Sequence, residues 1–198
     1  VGTRSPSTPM GSVDRPLSAT EFALGCGARF VARGIDTLPK HLPEVFKRAH
    51  AHKGASFVEV FQNCIVYNDG VYDHFTDKKV AADRQVLVEH GQPLIFGTDQ
   101  DKGIRMKPGR IELEVVTIGE NGVTKADILV HDETNKSLAT LLAHMESPAF
   151  PVAIGVLFCD PAETYEAAVH AQVEAEMKAH PSPNVNDLLR SGPTWTVE

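Results

Sequence analysis

An α/β fold is what this sequence predicts: a parallel sheet flanked by helices, followed by a β-rich C-terminal extension. Three observations carry the prediction. Apolar runs without alternation, at 28–33 and 56–61, read as strands buried on both faces. An amphipathic helical pattern separates them, and strand, helix and strand within about 35 residues form a βαβ unit with parallel strands. Beyond residue 94 the pattern changes to short β runs.

The elements follow in order. Residues 1–16, rich in Ser, Thr, Pro and Gly, predict an extended segment. A short helix over 18–24 has Ser18 as N-cap and Glu21 three residues on, and Gly25 and Gly27 stop it. The strand at 28–33 ends at Gly34. A helix capped by Asp36 or Thr37 then runs to about His52, with Leu38, Leu42, Val45, Phe46 and Ala49 on one face. Pro39 and Pro43 fall near its first turns, where amide hydrogens lack helical partners. After the strand at 56–61, residues 76–89 predict a charged helix and His90-Gly91-Gln92-Pro93 a turn. Strands are expected at 94–96, 111–118 and 127–130, with Asn121-Gly122 joining the last two as a hairpin. A helix over 136–145, a strand over 152–158, a long helix over 161–179 and an irregular tail over 180–198 complete the reading. On the long helix Tyr165, Val169, Val173 and Met177 recur at four-residue spacing.

The composition is that of a globular protein, 42% hydrophobic and 23% charged. A net charge of -7, from 26 acidic against 19 basic residues, offers no footprint for nucleic acid. No run approaches the roughly 18 apolar residues of a membrane span, and no signal-peptide pattern opens the chain. The expectation is a soluble, cytoplasmic protein with neither nucleic acid nor membrane as partner. The opening Val1-Gly2-Thr3-Arg4 reads like a chain entered in the middle.

Cys26, Cys64 and Cys159 are far apart and odd in number, with no C-x-x-C pair, so no disulfide framework is implied. Cys64 is the best placed for a function. It follows a strand whose carboxyl end is the usual ligand position in α/β sheets, beside Asn63 and Asn68. A small buried hydrophobe is the equal alternative there. Packing is the favoured role for Cys26, between two glycines, and for Cys159, at a strand end. Of the nine histidines, His41, His50 and His52 lie near one helix without metal-ligand spacing, and His90, His131 and His144 follow apolar runs as core candidates. No G-x-S-x-G, phosphate-binding loop or dinucleotide fingerprint occurs. From the residues alone the reading ends at an α/β domain with a ligand position at Cys64.

A set of collinear segments goes further. Ser7-Thr8-Pro9-Met10-Gly11-Ser12, Ala28-Arg29-Phe30-Val31-Ala32-Arg33, Lys40-His41-Leu42, His52-Lys53-Gly54, Phe57-Val58-Glu59-Val60, Asn63-Cys64 and Asn68-Asp69-Gly70 resemble the beta subunit of 2-oxoacid:ferredoxin oxidoreductases. His90-Gly91-Gln92-Pro93-Leu94 with Phe96-Gly97 is similar to the 2-oxoglutarate branch. The resemblance is specific over 1–97 and weaker beyond, where Ile154-Gly155-Val156 and 161–165 resemble the end of such subunits.

The resemblance implies a thiamine-diphosphate-binding fold. It also implies oxidative decarboxylation of 2-oxoglutarate to succinyl-CoA, or the reverse, with coenzyme A as co-substrate. Thiamine diphosphate, Mg²⁺ and a [4Fe-4S] cluster are the implied cofactors, and an alpha subunit and ferredoxin the implied partners. Cys64 matches one cluster ligand; Cys26 and Cys159 match none. The family's C-x-x-C pair, third cluster cysteine and G-D-G-D motif are missing, so the chain resembles the carboxyl-terminal part of such a subunit and alone is expected to be inactive. On this reading 1–75 is the end of the cofactor-binding domain and 76–198 a subunit-contacting extension. A pyruvate or broad-range 2-oxoacid enzyme is the alternative within the family, and a non-catalytic α/β interaction module the alternative outside it.

Overall fold

The structure is a computed structural model that describes residues 2–4, 6–181, 184–193, 195 and 197. The parts of the N-terminal and tail readings that fall on Val1, Ser5, Ser182, Pro183, Thr194, Thr196 and Glu198 lie outside the described residues. Two compact units divide the chain, Val1–Pro161 and Ala162–Glu198.

The first unit runs α1 (Ala19–Gly25), β1 (Phe30–Ile35), α2 (His41–Ala51), β2 (Phe57–Phe61), α3 (Asp73–Thr76), α4 (Ala81–Arg84), β3 (Gln85–Val88), β4 (Ile95–Phe96), β5 (Lys102–Met106), β6 (Leu113–Thr117), α5 (Lys136–Ala143) and β7 (Val152–Cys159). Four strands form one sheet in the order β2-β1-β7-β3, and β4-β5-β6 form a second, antiparallel one. β1 pairs with β2 in parallel, as the βαβ reading requires. β7 is parallel to β3 but antiparallel to β1, so the large sheet is mixed. Helices cover both of its faces. Val45 of α2 packs with Phe30, Ala32 and Val156 on one side. On the other, Leu24, Leu138 and Leu142 of α1 and α5 join Val31, Val86 and Leu157.

Several expectations are corrected. Gly34 does not end β1 but lies inside it, because a β-carbon there would come within 2.4 Å of Leu42 Cδ1; the glycine lets α2 close onto the strand. α2 starts at His41, with Lys40 as N-cap, because Asp36 is engaged elsewhere. The helix expected over 76–89 is a single turn, α4, and then β3, where Val86 and Val88 are buried by pairing with β7. Tertiary pairing overrides a weak helical pattern here.

Asn121 and Gly122 do form a turn, both with positive φ, 49° and 77°. No hairpin follows it. The Asp127 carboxylate takes the Thr124 amide and hydroxyl at 2.7 and 2.8 Å, winding 125–127 into a 3₁₀ turn. The hairpin partner of β6 is β5, across a turn in which the Lys107 amide donates to the Glu112 carbonyl at 2.8 Å.

The second unit holds α6 (Tyr165–Ala179) and α7 (Val185–Arg190). Thr164 caps α6, its hydroxyl accepting the Ala167 amide, so the helix begins later than expected. The tail expected to be irregular contains α7, capped by Asn184. No helix among the described residues is long and apolar enough to cross a membrane.

Candidate functional site

The carboxyl ends of β1 and β2 converge on one loop. The Asp36 amide, just past β1, donates to the Phe61 carbonyl at 3.1 Å, and the Asp36 carboxylate accepts the Asn63 amide at 3.3 Å. Asn63 then folds the chain back on itself. Its Nδ2 donates to Asp69 at 2.8 Å, and its Oδ1 accepts the Gly70 amide at 3.0 Å. Gly70 sits at φ 73°, a left-handed conformation in which glycine carries no β-carbon penalty. Within this clamp the Asn68 amide donates to the Cys64 carbonyl at 2.9 Å, and the two residues form an antiparallel bridge. The result is a pinched turn over 64–68 with its side chains pointing outward.

Cys64 is exposed at the base of that turn. Backbone hydrogen bonds at Tyr67, then Val66 and Asn68, hold its thiol below the ordinary cysteine range. Amide donors stabilise the thiolate, the form that attacks electrophiles and binds soft metals. The next three side chains, Ile65, Val66 and Tyr67, are 78%, 76% and 90% exposed. Next to the turn, sharing Asn63, a cleft of about 500 Å³ is lined by Asp36, Thr37, Phe61, Tyr72, Thr76 and Lys78 among others. It occupies the strand-end position at which α/β sheets take ligands.

The other two cysteines stand apart in character. Cys26 is exposed as the C-cap of α1. Cys159 is half-buried at the end of β7, where desolvation and the Glu133 carboxylate push its thiol up. Among the described residues no group of three or more His, Cys, Asp and Glu side chains is arranged to hold a metal ion. Of the histidines named as core candidates, only His131 is buried, at 1% exposure, with its Nε2 2.8 Å from the Val156 carbonyl. His144 is exposed and pairs with Glu21 at 2.7 Å, and His90 is exposed beside Asp132. Asp36, read in the sequence only as a helix cap, and Asp69 emerge as the carboxylates that hold the Cys64 loop.

The chain is similar in sequence to beta subunits of 2-oxoacid:ferredoxin oxidoreductases. A 2-oxoglutarate oxidoreductase subunit KorB from Mycobacterium tuberculosis is 33% identical over 213 aligned residues, which take in 100% of this chain and 53% of that protein. A 2-oxoacid:ferredoxin oxidoreductase subunit beta from Saccharolobus solfataricus is 35% identical over 80 residues, 40% of this chain and 26% of that one. A 2-oxoglutarate synthase subunit KorB from Archaeoglobus fulgidus is 33% identical over 63 residues, 32% of this chain and 24% of that one. No family model matches. Among solved structures, a 2-oxoglutarate:ferredoxin oxidoreductase from Magnetococcus marinus with 2-oxoglutarate, coenzyme A and succinyl-CoA bound shares the fold at a TM-score of 0.61 and 19% identity, over 98% of this chain and 50% of that one. The chain thus spans about half the length of the M. tuberculosis relative that it matches from end to end.

The donors at Cys64 fit one corner of an iron–sulfur cluster: a soft, exposed sulfur with backbone amides directed at it. No further cysteine is arranged with it among the described residues, so this chain supplies at most one of the thiolates such a cluster needs.

Proposed function

We propose that this chain is the carboxyl-terminal part of the beta subunit of a cytoplasmic 2-oxoglutarate:ferredoxin oxidoreductase. In that complex thiamine diphosphate, with Mg²⁺, supplies the carbanion chemistry of decarboxylation, and a [4Fe-4S] cluster carries single electrons to ferredoxin. The observation that carries the reading is the match to the M. tuberculosis KorB subunit along the whole of this chain. Cys64 holds one iron. The backbone donors at 66–68 stabilise negative charge at its sulfur, and Asp36, Asn63 and Asp69 keep the loop from splaying. The chain beyond residue 75, above all its second unit, contacts other subunits, the alpha subunit among them.

The test uses the assembled complex. It is expected to reduce ferredoxin with 2-oxoglutarate and coenzyme A at a kcat/KM at least a hundredfold above that with pyruvate. Comparable values would overturn the substrate assignment in favour of a broad-range 2-oxoacid enzyme, the reading favoured by the S. solfataricus relative's name. Cys64→Ser in the same complex is expected to lower iron content and alter the EPR spectrum of the reduced cluster. Full iron with an unchanged spectrum would remove Cys64 from the ligand set.

A further inference from the structure

The second unit presents an apolar stripe that nothing in its own fold covers. α6 has no buried residue over 15 positions. Tyr165, Val169, Val173 and Met177 follow one another at four-residue steps and so share a face. Of these Tyr165, Val173 and Met177 are 81%, 50% and 64% exposed. Short isolated helices of this length are marginal in water, and their stability in proteins comes from packing an apolar face. α7 repeats the pattern, with Val185, Leu188 and Leu189 each more than 70% exposed. Between the end of α6 and α7 lies a cavity of about 630 Å³ walled by Val185 and Leu188 together with Glu176, His180, Asn184 and Asp187.

Charge selects what covers this face. Residues 162–198 carry six acidic against two basic side chains. At 100° per residue, Glu166 and Glu176 fall on opposite flanks of the α6 stripe, one near each end. A second copy would set one net-acidic unit against another, whereas a basic rim complements Glu166 and Glu176. We infer that α6 and α7 are a docking arm for a groove on a different polypeptide of the complex, with an apolar floor and rims of lysine and arginine. The inference rests on the reading of this chain as one subunit of a larger assembly.

The test is a photo-crosslinking residue at Val173 of the full chain, tagged and purified as its native complex from its own cells. The expected link is to one other polypeptide, at a peptide that combines apolar residues with Lys or Arg. Glu166→Lys/Glu176→Lys, two exposed changes that leave the stripe intact, is expected to cut the yield at least tenfold, and raised salt to do the same. A link to a second copy overturns the inference. So does a yield indifferent to charge reversal, or a complex in which the α6 amides exchange hydrogen as fast as in the free chain. Recovery of the chain without any partner defeats the subunit reading itself, so the two failures are distinguishable. No outcome depends on which 2-oxoacid the complex oxidises.

Discussion

Arg33 and Glu59 are register partners across the parallel β1/β2 pair, and Arg33 Nε donates to Glu59 Oε2 at 2.7 Å. Arg33 Nη2 donates to both the Thr20 hydroxyl at 2.6 Å and the Ala143 carbonyl at 3.2 Å. One guanidinium therefore ties α1 and the end of α5 to the strands that lead into the Cys64 loop. With side-chain exposures of 8% and 22%, the pair is shielded from water. Glu59→Ala leaves the buried charge unpaired, and a loss of about 3 kcal/mol in urea unfolding is expected. A loss below about 1 kcal/mol would mark it as a screened, surface-like pair.

Gly155 is the second position where one atom decides stability. It lies in the middle of β7 at φ 132°, and a β-carbon there would sit 2.5 Å from the Val88 carbonyl oxygen of its parallel partner β3. Backbone cannot yield as a side-chain tip can. Gly155→Ala is expected to destabilise by about 2 kcal/mol or more. Gly25→Ala, where no atom lies within 4 Å, serves as the control and is expected to shift stability by less than about 1 kcal/mol in either direction. Equal effects would show that the sheet tolerates a shift of β3.

His131 sets an acid limit. Burial holds its imidazole below the ordinary histidine range, against weaker upward pulls from the Val156 carbonyl and Glu133. Nε2 faces that carbonyl as donor, which leaves Nδ1 unprotonated and without a hydrogen-bond partner. The unfolded chain therefore binds a proton that the folded one refuses. Stability is expected to fall as pH drops through about 6.5, at up to about 1.4 kcal/mol per pH unit for this one group. Burial lowers His41 as well and adds to the same slope. Denaturant midpoints between pH 7.5 and 5 measure it, and His131→Phe is expected to flatten the curve. An unchanged slope in that variant would assign the effect elsewhere.

The thiols are expected to react in a fixed order. With its backbone donors and full exposure, Cys64 is alkylated by iodoacetamide ahead of Cys159, which burial and Glu133 hold in the thiol form. Peptide mass spectrometry after short exposures at neutral pH reads the order directly. In the assembled complex Cys64 is protected until iron is chelated, if it holds a cluster. Cys159 reacting first would contradict the geometry of the loop.

The βαβ start was legible because β1, α2 and β2 each carry a dense local pattern. Cys64 was singled out for its place after β2, which the structure keeps. What the residues could not convey was partnership at a distance. β5 was missed because Gly103 and Arg105 hide its pattern, although Gly103 is needed there to clear Ile128 Cδ1, 2.4 Å from where a β-carbon would stand. β3 looked helical because only pairing with a strand far along the chain makes Val86 and Val88 core residues. Asp36 was taken for a cap because its true partner, the Asn63 amide, lies on the next strand's loop. Each miss is a long-range contact that overrides a short-range preference.

The place of β7 in the sheet has a consequence for biosynthesis. Phe30 pairs with Cys159, so the strand that lies beside β1 is made last in the unit. At ribosomal speeds of about 5–20 residues per second, β1 waits on the order of ten seconds for this neighbour. Throughout that interval one edge of β1, a strand buried along its whole length in the finished fold, stands open, the kind of edge that other nascent chains can join. The nascent chain is therefore most in need of a chaperone after β2 has emerged and before β7 has.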